Sequence, residues 1–69
     1  MKIHYYPETD SLHIALSDRP SVDAVEVADG VVADLDAAGR VIGLDIDQAS
    51  EHLDLTTIET IDLPISKSA

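Results

Sequence analysis

Apolar and polar residues alternate along most of the chain, and this period of two is typical of β-strands. One set of apolar residues occupies odd positions before Asp36, and another occupies even positions after Gly39: Val25, Val27, Val31, Ala33 and Leu35, then Ile42, Leu44 and Ile46. Both sets can share one face of a sheet only if the loop between them has an even number of residues. We therefore predict one long, bent strand, a four-residue loop over 36–39 and a returning strand.

The dipeptide Asp29-Gly30 is by itself a strong signal for a two-residue hairpin turn. A turn there would pair Val27 with Val32 and Val25 with Asp34, mixing apolar and acidic residues on one face. A bulge or bend at Gly30 within a continuous strand avoids that mixture, and it is our prediction.

Residues 2–6 and 11–16 show the same alternation on either side of a turn-forming segment, Pro7-Glu8-Thr9-Asp10. A four-residue loop here predicts three opposed pairs: Ile3 and Ile14, Tyr5 and Leu12, and His4 and His13. Residues 17–21 break the pattern with small polar residues and a proline, which suits a loop between neighbouring strands. The strands are therefore expected to form a meander.

After Ser50 the apolar spacing changes and favours a short helix, with Ser50 or Asp54 as the N-cap and Pro64 beyond its end. The β-branched residues over 56–61 leave an edge strand as the alternative. The predicted fold class is α+β, a four-stranded antiparallel β-meander built from two hairpins with four-residue loops, plus one short C-terminal helix. We expect a single β-rich domain over 1–64 and a flexible tail over 65–69.

One short helix cannot cover the apolar face that this arrangement predicts, and a bare apolar face usually marks an association surface. We therefore expect a homodimer, formed face to face or through edge strands. The inward positions are Ile3, Tyr5, Leu12, Ile14, Leu16, Val25, Val27, Val31, Ala33, Leu35, Ile42, Leu44 and Ile46.

Composition narrows the classes of partner. The 69 residues carry 14 acidic and four basic side chains, a formal charge of −10 that repels nucleic-acid phosphates and anionic lipid. The absence of cysteine removes disulfides and thiolate metal sites. No apolar run approaches the roughly 20 residues that span a bilayer, and the chain begins in a strand pattern. We expect a bacterial, cytoplasmic protein that binds neither nucleic acid nor membrane.

Two histidines are the candidate metal ligands. If His4 and His13 lie opposite each other, their Cβ atoms are about 5 Å apart and both rings can reach one ion. A third ligand would have to come from His52, a carboxylate or a second subunit. The simpler interpretation is two exposed strand residues.

Acidic residues on the opposite face are a second candidate cation site, although their spacing reflects strand alternation and not a calcium loop. They are Asp34, Asp36, Asp45 and Asp47. A catalytic pair of Glu26 or Asp29 with a histidine would need a cleft that shifts a pKa, and an open sheet offers little burial. We therefore assign no catalytic residue and no cofactor.

The order of strand and turn residues resembles the small bacterial domain of unknown function 2283 family over about Met1 to Leu55. The resemblance rests on Met-Lys-Ile-x-Tyr-x-Pro-Glu-x-Asp-x-Leu-x-Ile-x-Leu (1–16), Glu-Val-x-Asp-Gly-Val-Val-x-Asp (26–34), Gly-Arg-Val-Ile-Gly-Leu-Asp-Ile (39–46) and Ala49-Ser50. His13 stands where such proteins often carry an aromatic residue, and Tyr6 where they often carry Asp. The resemblance implies a compact β-rich domain and no particular activity.

Three functional hypotheses remain. The first is a non-enzymatic homodimer that binds another protein, as a regulatory or antitoxin-like partner does. The second is a small-ligand or metal-binding protein that uses His4 and His13 or the acidic outer face. The third is a small enzyme whose cleft forms between subunits.

Overall fold

A computed structural model describes residues 1–65, which form one antiparallel sheet and one short helix. The elements are β1 (Lys2–Tyr6), β2 (Ser11–Ala15), β3 (Asp23–Ala28), β4 (Val31–Leu35), β5 (Val41–Ile46) and α1 (Ala49–His52). The predicted class, an antiparallel sheet with one short helix, is confirmed. The predicted number of strands is wrong, because the sheet has five strands in the order β1-β2-β5-β4-β3.

The first hairpin has the predicted register. His4 lies opposite His13, and the neighbouring pairs are Ile3 with Ile14 and Tyr5 with Leu12. The loop of four residues between Tyr6 and Ser11 is also confirmed. Here the alternation and the turn residues agree, so the sequence specifies the pairing without ambiguity.

The fifth strand arises at Asp29-Gly30, where the chain makes the hairpin turn that we rejected. Ala28 pairs with Val31 across this turn, and Gly30 has the positive φ of 76° that the turn requires. The register then shifts between Glu26 and Ala28. This bulge at Val27 adds one residue to β3, so the apolar residues of the two strands share a face despite the two-residue turn.

A second bulge preserves the phase of the next hairpin. Gly39 donates its N–H to Asp36 O at 3.0 Å and has the predicted positive φ, 80°. Asp36 N–H already bonds to Arg40 O, so the loop is one residue shorter than predicted. A register shift leaves Ile42 as the extra residue in β5, and Ala33 again faces an apolar partner.

The strand order is a Greek key and not the predicted meander. The segment 16–22 leaves β2 and crosses the end of the β4–β5 hairpin, with Leu16 N–H bonded to Ile42 O and Val22 N–H bonded to Leu35 O. This crossing places β3 at the edge of the sheet opposite β1. The central strand β5 pairs with β2 on one side and β4 on the other.

The helix begins earlier than predicted, and neither Ser50 nor Asp54 is its N-cap. The N-cap is Gln48, whose side chain makes no capping bond. Asp10 supplies the contacts instead: its carbonyl accepts from Ala49 N–H at 2.8 Å, and its carboxylate accepts from the Ser50 hydroxyl at 2.6 Å. The first hairpin therefore fixes the start of α1.

Residues 53–65 form neither the predicted helix nor the alternative edge strand. The Asp54 carboxylate accepts hydrogen bonds from Thr56 N–H and from the Thr57 hydroxyl, and such local bonds compete with helix formation. Within residues 1–65, no helix is long enough to cross a membrane, since α1 has four residues. The tail predicted over 65–69 lies, apart from Ile65, outside the described residues.

Few side chains are buried. Leu12, Ala33, Ile42, Ile46 and Ala49 are the buried hydrophobic residues of the described chain, and no large side chain among them is fully buried. Leu12, Ile46 and Ala49 pack together where α1 meets the sheet. The core cluster therefore lies at the end of the sheet that meets α1, and Ala33 and Ile42 are buried outside it.

Candidate functional site

The pairing of the five strands gives the sheet one polar face and one apolar face. A row of the polar face crosses every strand, because residues paired across strands share a face. From β1 to β3 it consists of His4, His13, Asp45, Val32 and Glu26. The apolar face carries a parallel row: Ile3, Ile14, Leu44, Ala33 and Val25.

Three titratable side chains meet on the polar face at the centre of the sheet. His13 on β2, Asp34 on β4 and Asp45 on β5 each place one nitrogen or oxygen donor within 4.8 Å of the others. His13 Nδ1 and Asp45 Oδ1 are 2.5 Å apart and form a hydrogen bond. We call these three residues the polar-face triad. Its members come from three neighbouring strands, so the sheet order brings them together.

Gly43 makes room for the triad. It lies opposite Asp34 in the ladder, two residues before Asp45 on β5. A Cβ atom at this position would be 3.1 Å from Asp34 Oδ2 and 3.3 Å from the carbonyl oxygen of Ile14. The missing side chain therefore lets the Asp34 carboxylate lie over β5, close to Asp45.

The two carboxylates of the triad interact unfavourably when both are charged. The pKa of Asp34 is raised above its ordinary value, chiefly by a hydrogen bond with Asp45 in which the protonated form takes part. Partial burial and the negative charge of Asp45 act in the same direction, whereas His13 opposes them. Two charged carboxylates at this position therefore repel each other, and a bound cation would relieve that repulsion.

The other predicted ligands lie outside the triad. His4 is opposite His13, as predicted, but its ring stacks on Tyr6 with centroids 4.2 Å apart. Asp47 lies beyond the end of β5, where its N–H bonds to the carbonyl of Gly30. Of the four acids grouped from the sequence, the structure brings Asp34 and Asp45 together.

Asp36 makes hydrogen bonds and an ion pair that stabilise the loop between β4 and β5. Its carboxylate accepts hydrogen bonds from the N–H groups of Ala38 and Arg40, each at 2.9 Å, and Arg19 Nε lies 3.0 Å from its other oxygen. These donors, led by Arg40 N–H, lower the pKa of Asp36. The side chain is 6% exposed and joins the β4–β5 loop to the segment that crosses it.

The apolar face is only partly covered. Leu55, Thr57 and Ile58 lie over the β1–β2 end of the face and, with Ile3, Tyr5 and Leu12, line a groove of about 470 Å³. At the other end, Val25 on β3 is 44% exposed. The face that the alternation predicted therefore exists, and the side chains of Ile3 and Val25 at its two ends are about half exposed.

The fold and these two faces define a small antiparallel β-sheet protein with a polar triad on one face and an apolar surface on the other. The sequence profile of a family described as "Protein of unknown function (DUF2283)" matches residues 2–50. The chain belongs to this family, as the motif resemblance indicated. No curated protein and no solved structure gives a significant match.

Proposed function

We propose that the protein is a non-enzymatic interaction module of the bacterial cytoplasm that acts as a homodimer, with the apolar faces of two copies packed together. The observation that supports this most directly is the small core. No large side chain in the described range is fully buried, while the apolar row ends at the exposed Ile3 and Val25.

The accessible surface supports association. A compact monomer of 7.4 kDa exposes about 4200 Å², whereas this chain exposes 5526 Å². Residues 66–69 could account for at most about 600 Å² of the difference, even as fully extended chain. The remaining excess, roughly 700 Å², includes exposed apolar side chains both on the sheet and in the segment 53–65, so apolar surface is available for a second copy to bury.

The distribution of charge favours a second copy over an unrelated partner. Of the acidic residues in the strands, Glu26, Asp34 and Asp45 lie on the polar face, and Asp23 lies on the apolar side at the start of the edge strand β3. Two copies packed through their apolar faces would form a β-sandwich whose sheets lie about 10 Å apart. Their polar faces would then point in opposite directions, which keeps the acidic groups hydrated and limits the repulsion between two chains of charge −10.

The state of association can be measured directly. Sedimentation equilibrium of the full chain at micromolar concentrations is expected to give twice the chain mass of 7.4 kDa. Raising the salt concentration should leave the dimer intact or strengthen it, because apolar burial drives association and salt screens the residual repulsion. A monomer at tens of micromolar, or a dimer that dissociates as salt rises, would contradict the proposal.

The amide NMR signals of the folded protein distinguish a specific dimer from non-specific aggregation. In the homodimer, amide signals of the apolar row are expected to shift with protein concentration, and those of the polar row are expected to stay constant. Shifts confined to the polar row would place the interface on the wrong face.

A further inference from the structure

The polar-face triad has the donor types and spacing of a metal site. Ligands of Zn²⁺ lie about 2.0–2.2 Å from the ion in tetrahedral geometry, so two of them are about 3.4 Å apart. The donors of His13, Asp34 and Asp45 lie within 4.8 Å of one another. Side-chain adjustments of less than about 1 Å would therefore bring all three onto one ion.

We propose that His13, Asp34 and Asp45 bind one first-row divalent transition-metal ion, with Zn²⁺ as the reference case. One imidazole nitrogen and two carboxylate oxygens suit such ions, whereas Ca²⁺ and Mg²⁺ favour sets made only of oxygen. Three protein ligands leave a position for water. The side chains of His13 and Asp45 are 40% and 48% exposed, so an ion can reach them from solvent.

The frame of the site is rigid. β5 is paired on both sides, with β2 where His13 lies opposite Asp45 and with β4 where Asp34 lies opposite Gly43. Donors on paired central strands are held more firmly than donors on loops. The absence of a Cβ at Gly43 gives the Asp34 carboxylate its position over β5. The geometry is therefore built into the sheet.

His13 Nδ1 and Asp45 Oδ1 already lie within hydrogen-bond distance of each other, so two of the three donors converge on one point. A bound cation would take the place of the shared proton and neutralise the two carboxylates. Because metal ligands must be deprotonated, binding should release protons and strengthen as the pH rises.

The test uses Zn²⁺ alone as the probe. After a chelator has stripped the full-length protein, competition with a chromophoric chelator is expected to show one Zn²⁺ per chain. His13→Ala, Asp34→Asn and Asp45→Asn should each weaken binding by at least 10–100-fold, the loss that removal of an outer-shell partner alone causes.

Two matched control variants distinguish a specific Zn²⁺ site from non-specific electrostatic attraction of Zn²⁺ to the acidic surface. His4→Ala removes the opposed histidine, and Asp47→Asn removes the same charge just beyond β5; both are expected to leave the Zn²⁺ affinity within about threefold. Equal losses in the controls and in the triad variants would mean an adventitious ion only. Displacement of Zn²⁺ by an equal concentration of Ca²⁺ would also overturn the proposal.

A measurement on the unmodified protein covers the case in which a variant fails to fold. The imidazole nitrogen signals of His13 should shift on addition of one equivalent of Zn²⁺, while those of His4 and His52 stay unchanged. A uniform shift of all three rings would refute the site. The triad lies on the face opposite the proposed dimer interface, so the two proposals can fail independently.

Discussion

Val25→Thr gives the sharpest test of the apolar face as a dimer interface. Val25 lies at the β3 end of the apolar row and is 44% exposed in the single chain. Threonine keeps the shape and the strand preference of valine, and in the monomer its hydroxyl can reach water. In the dimer the same hydroxyl would be buried against apolar side chains without a partner.

The size of the effect follows from the symmetry of the interface. Burying an unpaired hydroxyl costs about 1–3 kcal/mol. A two-fold dimer contains the position twice, so the free energy of association weakens by about 2–6 kcal/mol. At 1.4 kcal/mol for each factor of ten, the dissociation constant should rise by between about 30-fold and 10⁴-fold.

Sedimentation equilibrium over a range of concentrations measures this constant, and circular dichroism checks that the fold is retained. Val32→Thr is the matched control, because the same exchange is made on the adjacent strand, opposite Glu26 and Asp45 on the polar face. It should leave the constant within about threefold. If Val32→Thr weakens the dimer and Val25→Thr does not, the face-to-face assignment is wrong.

Three further predictions concern the stability of the sheet, measured by urea unfolding at fixed protein concentration. The pKa of Asp34 is raised in the folded state, so its contribution to stability is present below the ordinary value of 3.8 and is lost as the pH rises through the raised pKa. In metal-free buffer, Asp34→Asn should remove this loss of stability. An unchanged dependence of stability on pH in the variant would contradict the prediction. Gly39→Ala should lower the free energy of unfolding by about 1–2 kcal/mol. The cost comes from the backbone φ of 80° and not from a clash, because no atom lies within 4 Å of the new Cβ. Gly39→Asn should cost less, and equal costs for the two variants would argue against backbone strain. Ile42→Val should cost about 0.5–1.5 kcal/mol at this 5% exposed position, whereas Ile61→Val at a 76% exposed position should change stability by less than about 0.5 kcal/mol.

The register of the first hairpin could be predicted because its strands contain no irregularity, although β2 ends at Ala15 and not at the predicted Leu16. The alternation holds in both strands, and the register follows from the four-residue loop between them. Such a pattern leaves a single pairing that keeps the apolar residues on one face.

The Asp29-Gly30 turn was missed because the parity argument placed the irregularity at Gly30 itself and allowed no bulge before the turn. With the extra residue at Val27, the two-residue turn and the apolar phase are compatible. The strong local turn signal was therefore the better guide. The bulge at Ile42 hid the true loop length of the next hairpin in the same way.

The candidate site was predicted in part. The opposition of His4 and His13 follows from local pairing, and Asp34 and Asp45 were placed on the right face. The contact between His13 and Asp45 depends on β2 pairing with β5, two strands that are about 30 residues apart in the chain. Alternation determines which face a residue occupies but does not determine which strands are neighbours, so a meander and a Greek key look alike in the sequence.

The bulge at Val27 has a further consequence for how copies of the chain can meet. β3 is an edge strand, and edge strands of regular geometry are templates for endless strand-to-strand growth. A bulge twists the edge and interrupts its row of free backbone groups, and the acidic Asp23 and Glu26 lie on the same strand. Growth of a fibril from this edge is thereby discouraged, which is what the proposed closed dimer requires of the chain.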